Sequence, residues 1–211
     1  MTAAIQPPLF DALDTAIGTT TILIARHAEV HNPQRLFYGR LPAFRLSEWG
    51  EKQAERLAEA LAGRPITAVY SSPLIRARQT AARIADRHPG AERLVTGLLN
   101  ELGTSWQGTP YSQFKAGFSA YEHRREPGDE SIEEIAARMV GFVERARDRH
   151  RGETIVGVSH GDPVTILRLA LSERPLTVAG IRSAEFVGLG SVTESVYSPG
   201  DDRPRLTTLR Q

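Results

Sequence analysis

Three short runs of branched apolar residues constrain this chain most: Thr21-Ile22-Leu23-Ile24-Ala25, Ile66-Thr67-Ala68-Val69-Tyr70 and Thr154-Ile155-Val156-Gly157-Val158. None shows the apolar–polar alternation of a half-exposed strand, so each reads as a strand covered on both faces. Helical patterns fill the intervals. From about Ser47 to Gly63, residues Ala54, Leu57, Ala58 and Leu61 repeat at helical spacing. Ser131-Ile132-Glu133-Glu134 matches a capping box, and Ile132, Ile135, Ala136, Met139, Val140 and Val143 form one stripe behind it. Three pairs, Ser72-Pro73, Thr109-Pro110 and Asp162-Pro163, read as an N-cap followed by a proline at the first helical position. They predict helices to about His88, a weaker one after Pro110, and one to about Leu171. Leu94–Thr96 and Val192–Val196 are further β-like runs. Strands alternating with helices predict an α/β fold with a largely parallel sheet.

Residues Met1 to Thr20 carry no clear period and read as an N-terminal extension, leaving 21–211 as one domain, as expected for a 211-residue chain. With no cysteine, the chain has no disulfide framework, zinc ribbon, iron–sulfur cluster or thiol nucleophile. Lys and Arg number 26 against 25 Asp and Glu, a balance that gives no global attraction to nucleic acid or an anionic membrane. No signal peptide or spanning segment is evident, so a cytoplasmic protein is expected. A homodimer stays open. The run Arg145, Arg147, Arg149, His150 and Arg151 is interleaved with Glu144 and Asp148 and reads as a solvated helix face.

Ligands of parallel α/β sheets sit at the carboxyl ends of the strands. After the first strand come Arg26 and His27; after the second, Ser71 and Ser72, with Arg76 in the next helical turn; after the third, Ser159, His160 and Gly161. Two His and two Arg thus share one sheet edge with three helix N-termini. Such a site suits a dianion, and phosphate above all.

These segments resemble the histidine phosphatase (phosphoglycerate mutase-like) superfamily, over about Thr21 to Val196. Arg26-His27-Ala28-Glu29 with Asn32 is similar to its Arg-His-Gly signature. Leu46-Ser47, Gly50 and Gln53-Ala54 are similar to a helix start of the family. Ser71-Ser72-Pro73-Leu74-Ile75-Arg76-Ala77-Arg78-Gln79-Thr80-Ala81 matches its second motif. Glu101 with Trp106 and Gly108 resembles the acid-bearing segment, Gly128-Asp129-Glu130-Ser131 a later helix start, and Val158-Ser159-His160-Gly161 the second-His motif. The resemblance implies a three-layer α/β/α sandwich. It implies His27 as the nucleophile that becomes phosphorylated, and Glu101 as general acid and then base. Arg26, Asn32, Arg76, His160 and Gly161 would hold the phosphoryl group. No metal or other cofactor is implied. The expected activity is hydrolysis of a small phosphate ester through a phosphohistidine.

Three departures stand out. Ala28 replaces a glycine, Val30 stands where Ser or Thr is common, and the segment from Glu101 to Trp106 is about one residue short, with Gln107 at a place where Glu is common. Glu92 is the nearest upstream acid, with a poorer match, and Glu29 reads as structural. Rival readings remain. Gly157-Val158-Ser159-His160-Gly161 also fits the G-x-S-x-G nucleophile elbow of an esterase, although only the adjacent His160 follows Ser159. His27 and His31, four apart, are not in the helical H-E-x-x-H pattern of a metal site. A non-catalytic phosphate-binding module is another possibility. A phosphoglycerate mutase-type phosphotransferase is the nearest alternative, but only 29 residues separate Glu101 from Ser131, little for a lid. Tyr38, Phe44, Trp106, Tyr111, Phe114 and Phe118 are candidates for the mouth, and Arg40, Arg45 and Lys115 for a second anionic group on the substrate.

Overall fold

A computed structural model describes residues 18–123, 126–185 and 187–209; most of the N-terminal extension and Arg125 lie outside them. The apolar runs form strands β1 (Thr20–Arg26), β2 (Ile66–Ser71) and β4 (Thr154–Ser159), with β3 at Glu92–Val95. Strands β5 (Val192–Tyr197) and β6 (Arg205–Leu209) complete one sheet of order β3-β2-β4-β1-β5-β6. The first four run parallel, and the last two are antiparallel. The sheet is mostly parallel, as expected.

Period-two alternation along β1 feeds two cores. Leu23 and Ala25 pack with Leu57, Leu61 and Ile84 of helices α1 (Glu48–Leu61) and α2 (Ile75–Asp86). Ile22 and Ile24 pack on the other face with Ile135, Met139 and Phe142 of α3 (Ile132–Arg149) and Val164 and Leu167 of α4 (Gly161–Leu171). The sandwich therefore has three layers. Among the described residues no helix is long and apolar enough to cross a membrane.

Helix starts were read unevenly. Ser47 caps α1 by accepting from the Gly50 N–H, and Ser131 and Glu134 form the expected capping box on α3. The three cap-plus-proline pairs are corrected. Helix α2 starts only at Ile75, after Leu74, and α4 is capped at His160, so Pro163 lies inside its first turn. After Thr109-Pro110 only a single 3₁₀ turn forms, Tyr111–Gln113. A short helix, α5 (Val178–Ser183), had no sequence signal. On α3 the basic run is mostly solvated, but His150 is buried, where its ring nitrogens meet the Tyr70 hydroxyl and Glu153.

Gly50 has a specific reason to be glycine. A Cβ there would lie 2.0 Å from the Glu29 carbonyl oxygen, so only glycine lets α1 approach the loop that follows β1. Glu29 itself is structural, accepting from the Ser47 hydroxyl at 2.6 Å. Ala28 needs no left-handed backbone, because only Arg35 and Glu173 among the described non-glycine residues have positive φ.

Candidate active site

Four strand ends build the site. His27 continues the β1 ladder, its N–H donating to the Ser159 carbonyl at 3.0 Å. Its Nδ1 lies 2.7 Å from the Ala28 carbonyl. A carbonyl only accepts, so Nδ1 carries the proton and Nε2 keeps its lone pair. The Ala28 N–H donates to Thr80 Oγ1, which fastens this turn to α2. Burial above all, then the Arg76 charge, holds the His27 imidazole neutral, with its pKa well below 6.5.

Arg76 is fully buried in the first turn of α2, where the helix dipole disfavours a cation. Its Nε–H donates to His27 Nε2 at 3.3 Å and Nη2 to the Gly39 carbonyl at 2.7 Å, while Nη1 has no partner among the described residues. The Tyr38 ring lies 4.7 Å from its Cζ and stacks on Phe44. A buried guanidinium stays charged, so it presents a donor to an anion. Arg26, at the end of β1, donates from Nη1 to the Val187 carbonyl at 2.6 Å. Gly161 makes room for it: a Cβ there would sit 3.2 Å from the Arg26 Cζ.

The His160 ring stands 5.0 Å from that of His27. Its Nε2 meets Ser72 Oγ at 2.9 Å, and Ser72 donates onward to Asn100 Oδ1 at 3.1 Å. Ser72 therefore accepts from His160, which leaves Nδ1 facing Glu101 Oε2 at 3.8 Å. Burial first, then the His27 ring beside it, against which a second proton would be repelled, and the charges of Arg76, Arg138 and Arg26 keep this imidazole neutral as well. In this environment a second proton on His160 is disfavoured.

Glu101 follows the 3₁₀ turn Gly97–Leu99 that leaves β3. Burial, then the Asp162 charge, lifts its carboxyl from 4.5 to about 7, against the pull of Arg76 and Arg26. Its backbone is clamped. Arg40 Nε donates to the Glu101 carbonyl at 2.8 Å, Arg138 Nη2 to the same oxygen at 3.3 Å, and Glu130 binds both arginines. Arg40 is thus engaged with protein rather than facing a second anion; Arg45 is exposed. The shortened segment after Glu101 does not displace it from the site.

The other candidates separate. Asn32 spends its amide on both backbone groups of Leu36, at 2.8 and 3.0 Å, and shapes its own loop. Glu92 pairs with Arg149 on the surface. Ser159 is fully buried and donates to the Leu99 carbonyl at 2.9 Å, which overturns the elbow reading. His27, Glu101 and His160 bring donor atoms within 4.8 Å, a spacing open to a metal. Arg76 already donates to the His27 nitrogen such an ion would need, and two fixed guanidiniums favour an anion there. Sequence reasoning missed three contributors. Asp162 was read as a cap, yet its carboxylate accepts from Tyr121 at 2.8 Å, and burial raises its pKa. Thr80 and Arg138 were not singled out at all. Their partners lie across the fold, beyond the reach of a local pattern.

A neutral imidazole whose Nε2 carries no proton, two guanidiniums and a protonatable carboxyl at parallel strand ends form a site suited to phosphoryl transfer. The chain belongs to the histidine phosphatase superfamily (branch 1), whose family model matches residues 22–210. An uncharacterized protein of Mycobacterium tuberculosis is 40% identical over 185 residues, 84% of this chain and 90% of its own. Phosphoserine phosphatase 1 of Hydrogenobacter thermophilus is 33% identical over 160 residues, 71% of this chain and 75% of its own. The solved structure of mycobacterial glucosyl-3-phosphoglycerate phosphatase is similar at a TM-score of 0.74 and 26% identity, covering 90% of this chain and 97% of that one.

Proposed function

We propose that the protein is a metal-independent phosphomonoesterase that hydrolyses a small phosphate ester through a phosphohistidine on His27. The observation that carries this is the His27 tautomer. The Ala28 carbonyl holds the proton on Nδ1, and Arg76 points at the nitrogen left with the lone pair.

In the first half-reaction, His27 Nε2 attacks phosphorus and the bond to the ester oxygen breaks. Arg26 and Arg76 present their guanidiniums to the equatorial oxygens, where charge accumulates, and His160 lines the same cup. Glu101, protonated near neutrality, gives its proton to the departing oxygen. In the second, the resulting Glu101 carboxylate takes a proton from water, the water oxygen attacks phosphorus, and the N–P bond breaks. Inorganic phosphate leaves and both side chains are restored. Hydrolysis is preferred to a mutase cycle because, among the described residues, the chain between Glu101 and Ser131 contains only turns and one 3₁₀ segment, with no helix to close over the phosphohistidine.

The test is an aryl phosphate assay in EDTA with wild type, His27→Ala and Glu101→Ala, coupled to acid and alkaline quenching of radiolabelled enzyme. We expect EDTA-resistant turnover, abolished in His27→Ala, and an acid-labile, alkali-stable label that builds up in Glu101→Ala. Full activity in His27→Ala, or loss of wild-type activity on adding EDTA, sinks the mechanism.

A further inference from the structure

A second cavity, of about 390 Å³, lies beside the phosphate cup. One wall is aromatic. Phe114 stacks on Phe118 with ring centres 4.1 Å apart, and Phe37 stands edge-on to Tyr111 and Phe114 at 5.9 and 5.8 Å. Val178 and Ile181 of α5 supply apolar surface as well. Two lining residues tie the cavity to the cup. Asp162 lies two positions beyond His160, and its charge acts on Glu101. Ile181, like Asp162, also borders the neighbouring hollow that Arg26 and Gly161 line. The cavity therefore adjoins the phosphate cup, where the departing oxygen must be protonated.

We propose that this cavity is the leaving-group subsite, and that the substrate is a phosphomonoester whose alcohol carries an aromatic or similarly bulky apolar group. The inference rests on the phosphatase reading above. The lining is predominantly apolar, and two of its three charged members are already engaged. Asp162 accepts from Tyr121, and Arg182 binds the Gly117 carbonyl and Glu122. A polar alcohol such as serine would lose hydration here for few partners in return. An apolar group gains by leaving water. Tyr111, Lys115, Gly117 and Arg182 are the exposed residues of the lining and mark its mouth.

Phenethyl phosphate, ethyl phosphate and O-phosphoserine test this, because all three release a primary alcohol and differ mainly in what enters the cavity. We expect kcat/KM for phenethyl phosphate at least about tenfold above ethyl phosphate, with O-phosphoserine no better than ethyl phosphate. Phe118→Ala removes part of the wall and Ile181→Trp fills the space; each should lower the phenethyl-to-ethyl ratio. The ratio is read within each variant, so a partly folded preparation does not distort it. Equal kcat/KM for phenethyl and ethyl phosphate, preference for O-phosphoserine, or a ratio untouched in both variants would overturn the subsite while leaving the phosphatase intact. No turnover of any ester, aryl phosphate included, would instead remove the phosphatase reading itself.

Discussion

At Glu101 the folded protein favours the protonated carboxyl, since burial and Asp162 move its pKa from 4.5 to about 7. His27 must be neutral to attack, and its pKa lies well below 6.5. The rate should therefore rise with pH through the His27 titration and fall as Glu101 ionises near 7, giving a bell with a mildly acidic optimum. Glu101→Gln should erase the alkaline limb and lower kcat on alkyl phosphates by roughly 10²–10⁴, with a smaller loss on aryl phosphates. The same shift has a stability sign. A carboxyl with a raised folded pKa contributes fully below 4.5 and loses that contribution as pH rises through about 7. Glu101→Gln should thus melt higher than wild type at pH 8, by roughly 2–3 kcal/mol, and about equally below pH 4.5. Thermal denaturation at the two pH values decides it. At Gly161, an added methyl meets the Arg26 guanidinium at 3.2 Å. Gly161→Ala should weaken inhibition by inorganic phosphate roughly threefold to tenfold, measured from steady-state competition.

Helix α1 is held against the β1 loop by the contact of Gly50 with the Glu29 carbonyl, where a Cβ would stand 2.0 Å away. Gly50→Ala must push the helix or the loop aside. We expect a loss of roughly 1–3 kcal/mol in urea denaturation, with reduced kcat because Glu29 is two residues from His27. Contrasts among the helix starts explain what was legible. The Ser131 box could be read because both of its bonds are local, between residues three apart. Ser72 and Asp162 could not, because the Ser72 hydroxyl joins His160 and Asn100, and the Asp162 carboxylate takes the Tyr121 proton. Tertiary partners overrode local capping at both places. The buried strands were legible because double coverage leaves an uninterrupted apolar run. His27, Arg76 and His160 were legible because they sit directly at strand ends or in the turn that follows. Helix α5 was not, since its six residues are too few to show a period.

Across the whole molecule, the antiparallel edge is locked to the parallel half by one enclosed ion pair, Arg64 with Glu194 of β5, their side chains 11% and 4% exposed. Arg64→Met leaves that carboxylate buried without its partner and should cost about 3–5 kcal/mol. Adding Glu194→Leu removes the stranded charge and should recover most of the loss. Denaturant midpoints, with unchanged slopes, measure both. A double variant no better than the single would show that the pair does not hold the edge.

The position of β1 has a further consequence. It sits in the middle of the sheet, with Thr21 beside Thr154 on one side and Val196 on the other. Both neighbours of this strand thus come from much later in the chain. During translation this Ile- and Leu-rich run cannot take its place in the sheet until β4 and β5 have been made, so its edges wait unpaired in the interval. Completion of the sheet therefore waits on the C-terminal third of the chain, which carries β4, β5 and β6.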